Sequence, residues 1–341
     1  MTAPEPAPDL IARFAVHGGR VDQARAWFPQ VAAWTDLSTG IAPWAYPVAE
    51  PGEAPAPLPD PARLAELEAR AAHAFGTVPD HVVAVPGSDL ALRLIGAILP
   101  GPAGWVTPGY AGHRAMWPQD RAVALSRADF AEVAGEHRHI VLARPNNPDG
   151  WCADADALAG VATRLATKGG WLIVDEAFAD ATPDDSVAGR GWPGLIVLRS
   201  FGKFYGLAGL RLGFVIAPPA IAGPLRAMLG DWPISTPALA AGIAAYGDTA
   251  WQSGQRQRLS EASERMAAQV AAAGLDIVGR TAFFMLVALP RRDALFAHLA
   301  RAGVLTRPFA AQPTWLRLGL PGDMAGWQRV RDALASWSND R

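Results

Sequence analysis

Short apolar runs alternate along most of the chain with longer stretches whose apolar residues recur every three or four positions. The runs read as strands near 81–85, 104–107, 121–125, 138–143, 171–174, 195–199 and 213–217. The periodic stretches read as helices near 61–75, 89–99, 110–117, 153–167 and 219–229. Such alternation predicts a largely parallel sheet with helices on both faces. The helix opening at Pro61 carries its own punctuation: Asp60 as cap, Leu64, Leu67, Ala71 and Phe75 as an apolar stripe, and Gly76 as the stop. Asp231 to Pro237 interrupts the pattern, and helices at 238–247 and 249–273 follow. The end alternates again, with strands at 275–279, 283–288, 304–306 and 315–318 and helices at 291–301 and 323–337. Before the proline-rich stretch only a short helix at 21–28 stands out. Residues 1 to about 10 read as fraying, and the proline-rich stretch Glu50–Pro61 as a linker. The expected fold is α/β, with a large domain over 48–247 and a small α+β domain over 248–341, which the segment 1–47 joins.

Composition narrows the class. The chain has 341 residues, 50% hydrophobic and 18% charged, with a net charge of −2, so it is globular and has no electrostatic footprint for nucleic acid or an anionic membrane. A small-molecule partner is expected. Cys152 is the single cysteine, which excludes an intrachain disulfide and a cysteine-based zinc cluster, and no metal is expected. The first residues lack a basic region followed by an apolar core, and no apolar run is long enough to span a bilayer, so a cytoplasmic location is expected.

Chemistry concentrates in one stretch. Of 30 basic residues only Lys168 and Lys203 are lysines. A guanidinium stays charged, whereas a desolvated lysine can lose its proton and attack a carbonyl, so Lys203 has the amine for a Schiff base. Ser200 stands three residues before it and Arg211 eight after, with Gly202, Gly206, Gly209 and Gly213 between and beyond. A hydroxyl and a guanidinium beside such a lysine suit a phosphorylated aldehyde.

Ser200–Gly213 resembles the lysine segment of the pyridoxal-phosphate enzymes of the aspartate aminotransferase superfamily, S-x-x-K-x-x-G-L-x-G-x-R-x-G, and matches it at every fixed position. The resemblance implies that superfamily's fold, pyridoxal 5'-phosphate as cofactor, and a homodimer with shared active sites. Further candidates follow from what the cofactor needs. Asp175 ends the apolar strand Trp171–Val174 and suits the ring nitrogen, or caps the next segment. Asn147, in Asn146-Asn147-Pro148-Asp149-Gly150, offers an amide to the phenolic oxygen or belongs to an ordinary Asn-Pro turn. Tyr110 follows a strand and suits stacking on the ring. Gly87, Ser88 and Asp89 join a strand to a helix, an anion site or a plain connection, and with Ser200 and Arg211 they would hold the phosphate. Tyr46 resembles the tyrosine that crosses from the neighbouring subunit to that phosphate. Phe178 departs from the tyrosine frequent three residues after the aspartate.

His17-Gly18-Gly19, by itself a phosphate-suited turn or a plain one, precedes Asp36-x-Ser38-x-Gly40-Ile41-x-Pro43. Together they look like the start of the threonine-phosphate decarboxylases of cobalamin biosynthesis, relatives of histidinol-phosphate aminotransferase. That resemblance implies L-threonine O-3-phosphate as substrate, with His17, Gly18, Gly40, Asn147, Arg307 and Arg317 as its contacts and Arg317 on its carboxylate. Ala42 departs from the asparagine usual before that proline. The rival is a histidinol-phosphate-type aminotransferase. A cofactor-binding protein without turnover is disfavoured by the near-neutral charge, and a Rossmann oxidoreductase by the lack of G-x-G-x-x-G after the first strand.

Overall fold

The computed structural model describes residues 8–48 and 58–338. Residues 1–7 and most of the expected linker, 49–57, lie outside the described residues. The described residues form two compact units: 45–48 and 58–147 with 151–256, and 8–44 with 148–150 and 257–338.

The larger unit is built on a seven-stranded sheet. In spatial order its strands are Val82–Val85, Gly213–Ile216, Leu195–Ser200, Trp171–Asp175, His139–Ala143, Ala103–Thr107 and Ala122–Ser126. Only Gly213–Ile216 runs against the rest. Four of these strands are buried at every residue, which is why they are written as unbroken apolar runs rather than alternating ones. Edge strand Ala122–Ser126, by contrast, leaves Val123 and Ala124 exposed.

One face carries Val83, Val85, Val141, Ile173, Ile196, Leu198 and Val215, packed against Leu92 and Ile95 of Ser88–Ile98 and Ile221 and Leu225 of Pro219–Leu229. Each such side chain contributes about 1.5–3 kcal/mol on burial. Phe214, one residue from Val215, points to the opposite face. There it meets Phe75 of Pro61–Phe75 at 5.6 Å and Tyr246 of Thr236–Gly247 at 5.5 Å. Helix 61–75 keeps its expected ends: Asp60 accepts from the Ala62 N–H at 2.8 Å, and Gly76 takes a left-handed φ of 69°.

The smaller unit has a four-stranded antiparallel sheet, Arg307–Phe309, Gln312–Leu318, Met285–Ala288 and Ile277–Arg280, and a parallel pair of Thr35–Asp36 with Val304–Leu305. Its helices include Pro8–Ala15, Val21–Trp27, Arg292–Arg301 and Met324–Ala335. Pro148–Gly150 belongs here because backbones pack directly: a Cβ on Gly279 would lie 2.0 Å from Asp149 O, and one on Gly150 2.3 Å from Arg280 O.

Four details differ from the sequence expectations. Residues 8–15 form a helix instead of fraying, because Leu10, Ile11 and Phe14 make a buried stripe, with Phe14 5.5 Å from Phe296. The helix expected over 110–117 is a single turn, Ala111–Arg114, in a stretch that contains Gly112 and runs into Pro118. The strand expected at 304–306 is Val304–Leu305, and a further strand, Arg307–Phe309, follows it with a different partner. The division between units falls inside helix Thr249–Ala272, not before it. Within the larger unit Gln255 donates to Phe204 O, and within the smaller one Ser263 donates to Thr281 O.

Candidate active site

Sheet register assembles the first part of the site. Gly213 pairs with Val85 on one side and Ser200 on the other, so three neighbouring strands reach one level at one edge. The chain leaves Val85 through Pro86 and Gly87 into helix Ser88–Ile98, whose N-terminal N–H groups point out at that edge. Gly87 has φ 86°, and a Cβ there would lie 2.6 Å from Arg211 Nη2. A Cβ on Gly213 would lie 2.7 Å from Ser88 N. Both glycines are therefore needed for close approach, which brings Gly87, Ser88, Ser200 and Arg211 together. Arg211 itself sits in the left-handed region at φ 55° and donates to Ala208 O at 3.2 Å, an unusual backbone state for arginine. Ser200 stands at the N-cap of the turn Phe201–Phe204, yet its hydroxyl does not cap it. Helix N–H groups, a hydroxyl and a guanidinium form a cradle for a phosphate.

Asp89 plays a different part from the one expected of its side chain. Its Oδ1 accepts from the Tyr110 hydroxyl at 3.0 Å, and Oδ2 lies 3.5 Å from Arg93. A carboxylate repels a phosphate, so Asp89 serves such an anion only through its backbone, and its side chain holds Tyr110.

Asp175 lies two rungs deeper, pairing with Ala143 and Leu198. It is 6% exposed; Oδ2 is 3.0 Å from His113 Nε2 and Oδ1 accepts from the Ala177 N–H at 3.1 Å. His113 is fully buried, and Tyr110 meets its ring edge-on at 5.6 Å. An ionised carboxylate only accepts, so Nε2 carries the proton in this pair. Lys203 is half-buried on the turn Phe201–Phe204, amid buried Phe201, Gly202, Phe204 and Tyr205. A Cβ on Gly202 would lie 2.5 Å from Ala208 Cα, so that turn is packed tightly. Asn147 is half-buried beside Asn146, whose amide donates to Pro108 O at 2.8 Å.

A buried ionic cluster underlies this region. Arg199, 2% exposed, pairs with Glu176 at 3.2 Å and with Asp180, and donates to the Ser186 hydroxyl at 3.1 Å. Burial lowers its pKa, but Asp180 and then Glu176 outweigh that and hold it above the ordinary value. Glu176 follows Asp175 and Arg199 precedes Ser200, so the cluster ties together the two strands that carry the site.

In the smaller unit Arg307 and Arg317 are register partners on adjacent strands. Two like charges directly opposite one another are unfavourable unless an anion joins them. Burial, then Arg307, pulls the Arg317 pKa well below its ordinary value, with Asp36 working the other way. Arg317 donates to Ser38 O at 2.8 Å, and Arg307 to Val16 O at 3.4 Å, next to exposed His17. A Cβ on Gly18 would lie 2.3 Å from Ser38 O. Gly40 is buried two residues beyond Ser38. His17, Gly18, Gly40, Arg307 and Arg317 thus belong to one unit, as does the segment that links them.

Tyr46 is 8% exposed, packs edge-on against Trp251 at 5.0 Å, and its hydroxyl lies 3.4 Å from Asp248 of the same chain. Burial, then Asp248, raises its pKa. Its expected reach to the cofactor phosphate of a neighbouring subunit belongs to the proposed homodimer. Ser38 entered the sequence reading only as a position of the Asp36-x-Ser38-x-Gly40 pattern, and His113, Glu176, Arg199 and Asp180 were passed over. Only His113 left a signal, a ring three residues after Tyr110 in a helical turn.

The larger unit therefore offers a phosphate cradle, a buried carboxylate with an oriented partner and an amine on one sheet edge. These fit a phosphorylated aldehyde with a basic ring nitrogen. Among the described residues no cluster that could hold a metal ion is present, and no helix is long and apolar enough to cross a membrane. Such a site on this sheet is that of the aminotransferase-like enzymes. Residues 56–334 match the model of aminotransferase class I and II, and the chain belongs to that family. It is 39% identical over 324 residues to a threonine-phosphate decarboxylase of Pseudomonas aeruginosa, covering 93% of this chain and 96% of that protein. It is 39% identical over 331 residues to one of a Sinorhizobium species, covering 94% and 97%. Histidinol-phosphate aminotransferase from Sinorhizobium meliloti, solved with pyridoxal-5'-phosphate, superposes with a TM-score of 0.80 over 99% of this chain and 100% of that one, at 21% identity.

Proposed function

We propose that this chain is a pyridoxal-phosphate-dependent decarboxylase that converts L-threonine O-3-phosphate to (R)-1-amino-2-propanol O-2-phosphate and CO2 in cobalamin biosynthesis. The observation that carries it is the near full-length likeness to two threonine-phosphate decarboxylases. Its other parts are a cytoplasmic location and a homodimer whose active sites are shared.

The chain's own residues divide the work. Gly87, Ser88, Ser200 and Arg211 would hold the cofactor phosphate, Tyr110 would support the ring, and Asn147 would donate to the phenolic oxygen. Lys203 anchors the cofactor and later carries the proton destined for Cα. Asp175, oriented by His113 and the Ala177 N–H, keeps a proton on the ring nitrogen. Pyridoxal phosphate, when bound, supplies the sink for the electron pair left as the Cα–carboxylate bond breaks. Arg317 would grip the substrate carboxylate and so orient the bonds at Cα, while Arg307, His17, Gly18 and Gly40 would take the phosphate end. Phe178 provides no hydroxyl for the phenolic oxygen.

Purified holoenzyme with threonine phosphate should release CO2 and, given 2-oxoglutarate, form no glutamate. Glutamate formation without CO2 would instead identify a histidinol-phosphate-type aminotransferase.

A further inference from the structure

Ser38 is 3% exposed, and each of its polar groups is engaged within the smaller unit. Its N–H and its hydroxyl both donate to Asp36 Oδ1, at 2.8 Å and 2.5 Å. The hydroxyl oxygen accepts from the Gly19 N–H at 2.8 Å, and the carbonyl accepts from Arg317 Nη2 at 2.8 Å. The surroundings are shaped for this. Gly18 approaches so closely that a Cβ would lie 2.3 Å from Ser38 O, and Gly19 has φ 78°, a conformation that favours glycine. The segment itself is pinned, since Leu37 N–H donates to Leu305 O and Gly319 N–H to Leu37 O, both at 2.7 Å.

We infer that Ser38 is a positioning residue for substrate capture: its carbonyl fixes the Arg317 guanidinium, while its hydroxyl, oriented by Asp36, fixes the Gly18–Gly19 turn that carries His17. The Arg317 guanidinium lies over the Phe284 ring at 4.7 Å, and the Ser38 carbonyl adds a directional tie at one N–H, while the tie to Gly19 holds the turn that carries the imidazole. One residue thereby links the two substrate grips. Asp36 acts one step back: it uses up the serine proton and leaves the lone pair for Gly19. The inference deepens the decarboxylase reading and rests on it.

The test compares wild type, Ser38→Ala, Ser38→Thr, His17→Ala and the Ser38→Ala/His17→Ala double variant as holoenzymes. Ser38→Ala should raise KM for threonine phosphate about tenfold with kcat within about twofold, a loss of the size expected for one positioned contact. Ser38→Thr, which keeps the hydroxyl, should restore KM. In the His17→Ala background Ser38→Ala should add little, because both act through the same imidazole. Amide hydrogen exchange at Gly19, which needs no turnover, should quicken at least tenfold in Ser38→Ala alone. Unchanged KM, a fall confined to kcat, additive effects in the double variant or unchanged exchange at Gly19 would each overturn the inference. Failure of wild type to release CO2 would sink the decarboxylase reading, while the exchange arm still decides whether Ser38 holds the turn.

Discussion

Asp175 illustrates how one residue becomes functional through its neighbours. A carboxylate at the end of a buried strand is costly unless its lone pairs are used, and here His113 and a backbone N–H use them. His113→Ala should therefore lower kcat about 100-fold while leaving the fold intact, as kinetics and near-UV circular dichroism would register. Lys203→Ala should abolish both turnover and the visible absorbance of lysine-bound cofactor, a loss of at least about 1,000-fold in rate. Lys168→Ala should change neither, because that amine donates to Gly135 O. As candidates, Asp175 was legible because it ends an apolar run read as a strand, and Lys203 because it is one of two lysines among 30 basic residues. His113 was not, since its partner is 62 residues away and only the fold brings them together. Glu176 and Arg199 were hidden for the same reason.

At the scale of elements, the site depends on three strands reaching one level with glycines at their ends. Gly87→Ala would force a side chain into a left-handed backbone and onto Arg211. It should weaken cofactor binding by about 1–3 kcal/mol, roughly 5- to 150-fold in Kd by fluorescence titration. The ionic cluster between strands Trp171–Asp175 and Leu195–Ser200 is a second vulnerable joint. Glu176→Gln leaves Arg199 without one of its two buried charges and should lower stability by about 3–5 kcal/mol in denaturant unfolding. The sequence pattern gave most strands to within a residue or two, because full burial leaves continuous apolar runs. It missed Pro8–Ala15, where proline and alanine content masked a three-residue apolar stripe, and it missed the short strand Arg307–Phe309, which pairs with a different partner from Val304–Leu305.

For the whole molecule, His139 makes stability depend on pH. Burial, then Arg138, lowers its pKa to about 4, against about 6.5 for an unfolded chain. Between these values the unfolded chain binds the extra proton, so its contribution is complete above pH 6.5 and is lost as pH falls toward 4, by up to about 3 kcal/mol. His139→Phe, which keeps a ring beside Trp117, should flatten that part of the unfolding profile. Light scattering should find twice the 36.0 kDa chain mass if the enzyme is a homodimer. The central claim concerns which bond breaks, and threonine phosphate labelled in its carboxyl carbon tests it most directly. The label should leave entirely as CO2 while the product gains one solvent hydrogen at Cα and keeps its nitrogen. Label retained in an oxo acid, with the nitrogen passed to 2-oxoglutarate, would contradict the account.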